Sequence, residues 1–189
     1  MSRLITACCA SLMLLSGSLS SALELRLQAT KASFRAGEPV VVRVLVTNPV
    51  DSTRVWYLKR GFWLVPYVYP MDGDLGLVTE VRGPDGNRLE PTTKSLLLVR
   101  MRTEPAMFHP LRRGEIFGQE IALDGDGLEY KMTTPGTYRV SAILSPASPR
   151  SWFVNWRRSN PYAPAPSFSV DDLYEGPAFA PPIDVVIAQ

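Results

Sequence analysis

The sequence has few residues that bind metals or perform thiol chemistry. Its 189 residues include two cysteines, Cys8 and Cys9, and one histidine, His109. A zinc site usually takes several His or Cys ligands, and there is no His-Glu-x-x-His motif, Walker motif or Gly-x-Gly-x-x-Gly loop. No nucleophile-elbow motif accompanies His109, so a Ser-His-Asp triad is the weaker interpretation of that residue. We therefore expect no metal, no cofactor and no catalytic residue, and a protein that is not an enzyme.

Neither sign of charge is in excess. The chain has 20 basic and 18 acidic residues, for a formal net charge of +2. Nucleic-acid binding and binding to anionic membranes both depend on a strong basic surplus. The two adjacent arginine pairs, 112–113 and 157–158, are ordinary on solvated surfaces. The sequence therefore predicts no nucleic-acid partner.

Long apolar runs are absent except at the N-terminus. Arg3 precedes a mainly apolar stretch over residues 4–15, which is followed by small residues up to Ala22. This is the pattern of a secretory signal peptide, so we expect residues 1–22 to be cleaved. The stretch is shorter than the roughly 20 residues that span a bilayer. The expected mature protein, 23–189, has no transmembrane segment and works in the periplasm or outside the cell.

Cleavage after Ala22 would also remove both cysteines. A lipid-modified Cys8 would need a longer apolar region before it, so a lipoprotein signal is the weaker interpretation. The mature protein then has no disulfide, although its compartment would be oxidising. We expect residues 23–189 to form a single domain that is stabilised by burial alone.

Apolar residues recur with a period of two in several segments, which is typical of half-buried strands. Val40, Val42, Val44 and Val46 fall on one predicted face, opposite Arg43. The same alternation occurs over 23–29, 137–144 and 183–188. No segment of 12 residues has convincing helical periodicity, so the protein is predicted to be all-β.

Turn residues separate these strands. Gly83-Pro84-Asp85-Gly86-Asn87 predicts a bulged hairpin, because Pro presets one turn dihedral and Gly86 can take a positive φ. Two prolines interrupt the aromatic stretch 62–70, which is expected to be irregular or at a sheet edge. Further strands are predicted at 53–58, 77–82, 88–90, 95–102 and 116–123. Together these predict an antiparallel sandwich of about 7–9 strands.

The order of these elements resembles an immunoglobulin-like sandwich. The residues that carry the resemblance are Val46-Thr47-Asn48 at the end of a Val-rich strand, Trp56 on the next strand, and 135–140 (Pro-Gly-Thr-Tyr-Arg-Val) near the end. The resemblance implies that Trp56 packs in the core and that Tyr138 caps a corner before the penultimate strand.

Within that fold the protein is similar to two groups. One is the intracellular proteinase inhibitor family, and the other is the N-terminal domain of deuterolysin-type metallopeptidases. The likeness covers roughly residues 23–146 and the last strand, and its motifs are generic to sandwiches. It implies a fold, whereas function inferred from fold alone is analogy.

Two Asp-Gly segments have carboxylates two residues apart, at 72–74 and 124–127. Oxygen ligands at this spacing can bind calcium. Neither continues into a complete calcium loop, and Asp-Gly is also the common composition of a tight turn. Turns are therefore the expected interpretation.

The long segment before the last strand, residues 146–182, is the most informative feature. It is predicted to be an aromatic and proline-rich loop inserted between two strands. Loops this long are usually functional or disordered, and disordered segments are poor in aromatics. The residues proposed to bind a partner are Trp152, Phe153, Trp156, Arg157, Arg158 and Tyr162. Their rings could instead pack over a sheet edge, and Trp63, Tyr67 and Tyr69 could join the same patch.

Trp, Tyr and Arg dominate protein-binding hot spots. We therefore expect an exported, non-enzymatic binding module that recognises another protein through the aromatic segment; a proteinase inhibitor is a specific version. One alternative is a carbohydrate-binding module that stacks aromatic rings on sugars. Others are a structural or accessory envelope protein, and an enzyme that uses unidentified carboxylates.

Overall fold

The computed structural model describes residues 23–59, 63–65, 75–93, 104–123, 128–146 and 149–189. Several predictions fall outside these residues. They are the signal peptide at 1–22, the strand at 95–102, both Asp-Gly segments (72–74 and 124–127), and the rings of Tyr67 and Tyr69.

The described residues form twelve strands and one α-helix, so the predicted all-β class is confirmed. In sequence order the strands are β1 (Glu24–Ala29), β2 (Phe34–Arg35), β3 (Val41–Thr47), β4 (Trp56–Lys59), β5 (Trp63–Val65), β6 (Leu75–Arg82), β7 (Thr92–Thr93), β8 (Phe108–Leu111), β9 (Ile116–Ala122), β10 (Leu128–Glu129), β11 (Gly136–Pro146) and β12 (Ala178–Ala188). The helix is α1 (Pro149–Ser159), and short 3-10 helices occur at Pro105–Met107 and Val170–Asp172.

Three strands form an antiparallel sheet in the order β1-β3-β9. Leu25 of β1 lies opposite Val46 of β3, and Val46 lies opposite Phe117 of β9. Val42, Val44 and Val46 are buried, whereas Arg43 is exposed and pairs with a glutamate of β9. The predicted period-two alternation of β3 is confirmed.

The larger sheet has the order β2-β12-β11-β6-β5. Its central pairs are antiparallel, while β2 pairs with β12 and β5 pairs with β6 in parallel. Val140 lies opposite Ile183 but Ala142 lies opposite Ala180, so β12 contains one extra residue there. Pro181 and Pro182 fall in this bulge, because proline has no N–H to donate to the ladder.

Both sheets contribute to one hydrophobic core. Its fully buried members from the first sheet include the valines of β3, and those from the second include Leu77, Val140, Leu144 and Ile187. Tyr138 is also buried there. The core therefore lies where the inward faces of the two sheets meet, as period-two patterning dictates.

Two smaller sheets flank this core. β4 pairs with β8, and β7 pairs with β10. Trp56, the first residue of β4, lies opposite Leu111, and both side chains belong to the main core. The burial of Trp56 agrees with the resemblance, but its strand lies outside the five-stranded sheet.

The segment 146–182 is not a loop throughout, contrary to the prediction. It contains α1 and a 3-10 helix, and β12 begins at Ala178 rather than near Ile183. Helices shorter than about 12 residues are marginal alone and depend on tertiary packing. The helix was missed because its aromatic residues and Val154 have low intrinsic helix propensity.

Within the described residues, no helix combines the length and apolar character needed to cross a bilayer.

Candidate functional site

Helix α1 positions five of the six residues predicted to bind a partner. Pro149 is its first residue, where the missing N–H costs nothing. Arg157 and Arg158 lie in its last turn and complement the negative end of the helix dipole. Asn160 ends the helix, with its amide Nδ2 donating to the Trp156 carbonyl oxygen at 2.8 Å.

The inner side of α1 is buried in a second hydrophobic cluster. Trp152 is only 7% exposed, and its ring stacks on Phe108 of β8 with 4.7 Å between centroids and 22° between planes. Phe168 lies 5.7 Å from both Phe108 and Phe153. The buried members of this cluster, which we call the aromatic cluster, are Phe108, Trp152, Phe168 and Leu173. Trp152 and Phe153 therefore attach α1 to β8 and to the segment before β12.

Trp156 is half-buried and makes a polar contact. Its indole Nε1 donates a hydrogen bond to Oε2 of Glu104 at 3.1 Å. The packing alternative considered for the aromatic segment therefore describes Trp152, Phe153 and Trp156 well.

The remaining predicted residues lie toward solvent. Tyr162, in the turn after α1, is 98% exposed. Arg158 is exposed, and forms no ion pair with any described residue. Arg157 is half-buried and donates to the Ala163 carbonyl oxygen at 3.4 Å.

One exposed apolar residue on α1 was not predicted. Val154 is 47% exposed and lies four residues before Arg158, on the side of the helix opposite Trp152 and Trp156. Its spacing to the two tryptophans would have revealed this, once the segment was recognised as a helix. We call Val154, Arg158 and Tyr162 the outer surface of α1.

The N-terminal end of α1 is fixed by an ion-pair network. Arg150 donates from Nε to Oε2 of Glu175 at 3.1 Å and from Nη2 to Oδ1 of Asp171 at 3.1 Å. The backbone N–H of Arg150 also donates to Oε1 of Glu175 at 3.2 Å. These hydrogen bonds, first to Glu175 and then to Asp171, raise the pKa of Arg150 above its usual value.

Elsewhere, the described residues contain few side chains of the kinds that catalyse reactions or bind metals. His109 lies within β8 opposite Leu58, in a regular strand position. The described residues contain no group of three His, Cys, Asp or Glu side chains that could hold a metal ion. The prediction that no residue is catalytic stays a prediction.

No protein-family model matches the sequence, and no curated protein matches it.

Proposed function

We propose that this protein is an exported, non-enzymatic binding protein with an immunoglobulin-like sandwich fold, and that it recognises a protein partner through the outer surface of α1. The observation that carries the proposal is the 98% exposure of Tyr162 beside a helix that Trp152 fixes to the body of the protein. Because α1 is anchored, the exposed Tyr162 ring that follows it can contact a partner with little loss of conformational entropy.

Strand order supports the immunoglobulin-like fold. In such domains strands A, B and E share one sheet, and C, F and G share the other. The orders β1-β3-β9 and β6-β11-β12 agree with this arrangement. The hydroxyl of Tyr138 also bonds to the backbone four residues upstream, as a tyrosine corner does.

The chemistry of the outer surface favours a protein partner. Tyr and Arg are enriched in binding hot spots, where an apolar neighbour helps to exclude water. Tyr162 and Arg158 supply the first two elements, and Val154 supplies apolar surface one helical turn before Arg158. Arg158 forms no ion pair with any described residue. No such pair would therefore have to break before its guanidinium bound an acidic group of the partner.

A glycan partner has less support. Sugar-binding surfaces present several ring faces to solvent, but three of the four aromatic residues predicted for this site are packed. Trp152 is buried, and Phe153 and Trp156 are half-buried. Tyr162 alone stays fully accessible.

The turn after α1 suits the narrower hypothesis of a proteinase inhibitor. Residues 161–167 contain three prolines and are mostly exposed. Ala163 is held on both sides, since its N–H donates to the Asn160 carbonyl at 3.1 Å and its carbonyl accepts from Arg157. Such a restrained, exposed turn loses little entropy on entering a protease cleft.

A paired pull-down tests the proposal. The bait is residues 23–189, beside a variant carrying Arg158→Glu and Tyr162→Ala. The matched control carries Arg139→Glu and Phe179→Ala, which change one exposed arginine and one exposed ring on the larger sheet. Each bait is exposed to the envelope and secreted fractions of the source organism after circular dichroism has established that it is folded.

We expect one protein to be retained by the native and control baits and lost from the α1 variant. The partner, once identified and purified, should then bind the native protein with a 1:1 stoichiometry. If it is a protease, its activity should fall in proportion to the amount of native protein added. Retention by all three baits, or by none, would overturn the proposed site.

A further inference from the structure

A cleft of about 320 Å³ opens between the start of β4 and the segment that precedes β12. Arg54 and Trp56 form one wall, and Arg150, Asp171, Tyr174 and Glu175 form another. Its volume is at the lower end of the range for ligand sites. It has room for one amino-acid side chain or the end of a polypeptide, but not for a large ligand.

Two of the residues that line this cleft each have a buried polar group with no hydrogen-bond partner among the described residues. These groups are the indole N–H of Trp56 and the hydroxyl of Tyr174, whose oxygen lies near the Leu23 backbone without a hydrogen bond of standard geometry. Trp56 is 8% exposed and Tyr174 is 4% exposed, and their rings meet edge-on at 5.5 Å. Buried polar groups in native proteins are nearly always paired, so two neighbouring exceptions call for a missing acceptor.

Arg54 adds a positive charge at the same place. Its guanidinium carbon lies 5.3 Å from the centroid of the Trp56 ring, in the geometry of a cation–π contact. It forms no ion pair with any residue that the structure describes. Arg150 differs, because it pairs with both Asp171 and Glu175, and the four charged side chains that line the cleft therefore sum to zero.

The Arg54 guanidinium and the Trp56 indole N–H can only donate hydrogen bonds, the Tyr174 hydroxyl can donate as well as accept, and Arg54 is a cation. An anionic acceptor satisfies an arginine and two neutral donors together, and a planar carboxylate can pair with the planar guanidinium through two parallel hydrogen bonds. A cationic ligand would face an unpaired arginine.

We propose that this cleft binds a single carboxylate group belonging to the partner protein, with Arg54, Trp56 and Tyr174 as its donors. The inference rests on the proposed function in one respect, namely that the carboxylate comes from a protein. That carboxylate is an Asp or Glu side chain or the C-terminus of the partner.

The test uses small probes and the indole N–H signal of Trp56 in ¹H–¹⁵N spectra, assigned with Trp56→Phe. The two carboxylate probes are N-acetylglycine, which imitates a polypeptide C-terminus, and N-acetylaspartate α-amide, which imitates a side chain. The neutral control is N-acetylasparagine amide. The protein is residues 23–189, in its native form and as Arg54→Gln, Tyr174→Phe and Arg139→Gln variants.

We expect a carboxylate probe to shift the Trp56 signal saturably, and the neutral control to leave it unchanged. Arg54→Gln should weaken binding about tenfold, since it removes a charge-assisted hydrogen bond. Tyr174→Phe should weaken it about threefold, because it removes one neutral donor. The exposed control variant Arg139→Gln should behave like the native protein. The probe that binds more tightly identifies the source of the carboxylate.

No shift with either probe, or an equal shift in the Arg54→Gln variant, would overturn the proposal. The outcomes also separate this inference from the proposed function. Probe binding without partner retention supports the cleft and contradicts the outer surface of α1. Partner retention without probe binding supports the outer surface of α1 and contradicts the cleft.

Discussion

The hydroxyl of Tyr138 donates a hydrogen bond to the carbonyl oxygen of Thr134 at 2.9 Å and accepts one from the Thr134 N–H at 3.2 Å. The Tyr138 ring is buried in the main core at the start of β11. One side chain therefore ties the turn before β11 to the core, through both backbone groups of a single residue.

Tyr138→Phe should keep the ring packing but remove both hydrogen bonds. We expect the free energy of unfolding to fall by about 1–2 kcal/mol, as for other buried hydrogen bonds. Denaturant unfolding measures this change. Tyr162→Phe is the matched control, because its hydroxyl is in water, and it should leave stability unaltered. Equal stability of the two variants would mean that the corner contributes nothing.

Trp152→Ala should separate the packing role of the aromatic segment from its binding role. Trp152 is a buried member of the aromatic cluster, so its truncation should cost about 3–5 kcal/mol. Tyr162→Ala should change stability by no more than about 0.5 kcal/mol. Thermal and denaturant unfolding of both variants check this. A loss from Trp152→Ala as small as that from Tyr162→Ala would contradict the docking of α1 on β8.

Side-chain alternation was enough to predict the strands of the main core. Val42, Val44 and Val46 of β3 are buried as expected, and so are Val140 and Leu144 of β11. A strand with one buried face alternates apolar and polar residues with a period of two. This alternation is the same whatever the order of the strands in the sheet.

Pairing between strands could not be predicted in the same way. The parallel pair of β2 with β12 joins Phe34 to Ile187, far apart in the sequence. The bulge in β12 lies where Pro181 and Pro182 face β11, between the residues paired with Val140 and Ala142. Both follow from long-range geometry, which local patterns do not encode.

The candidate site was predicted in composition but not in form. The pattern around Trp152 and Trp156 predicted an aromatic loop that binds a partner, with packing as the alternative, whereas the segment forms a helix in which Trp152 stacks on Phe108 of β8. Arg54 and Tyr174 were not singled out at all, because only the fold brings these distant residues to one cleft.

Asn48 links two loops through a buried amide. Its Nδ2 donates to the carbonyl oxygens of Arg54 at 2.9 Å and Leu111 at 2.8 Å. Asn48→Ala should remove both hydrogen bonds, leaving the Arg54 carbonyl only the Ser52 hydroxyl as a side-chain donor, and lower the free energy of unfolding by about 1–3 kcal/mol. Asn48→Asp should cost at least as much, because a carboxylate cannot donate to them. Asn155→Ala, at an exposed position of α1, is the control, and urea unfolding that gives all three variants the same stability would contradict this role.

Tyr174 should make the protein sensitive to alkaline pH. Burial raises the pKa of its hydroxyl from 10.0 to about 12, which the nearby Leu23 backbone partly offsets without forming a hydrogen bond of standard geometry. The folded protein therefore keeps this proton at pH values where the unfolded protein has lost it. The resulting stability is complete below pH 10 and is lost as the pH rises from 10 to about 12.

Unfolding measured along this pH range should show stability falling by about 2–3 kcal/mol from this group, the value of a shift of that size. In Tyr174→Phe the loss of stability with rising pH should be smaller. Some loss should remain, because burial also raises the pKa of Tyr130. Tyrosinate absorbance gives an independent check, since Tyr174→Phe should remove a late-titrating phenol. If the stability curves of Tyr174→Phe and the native protein stay parallel up to the highest pH, the hydroxyl is not held in a buried, protonated state.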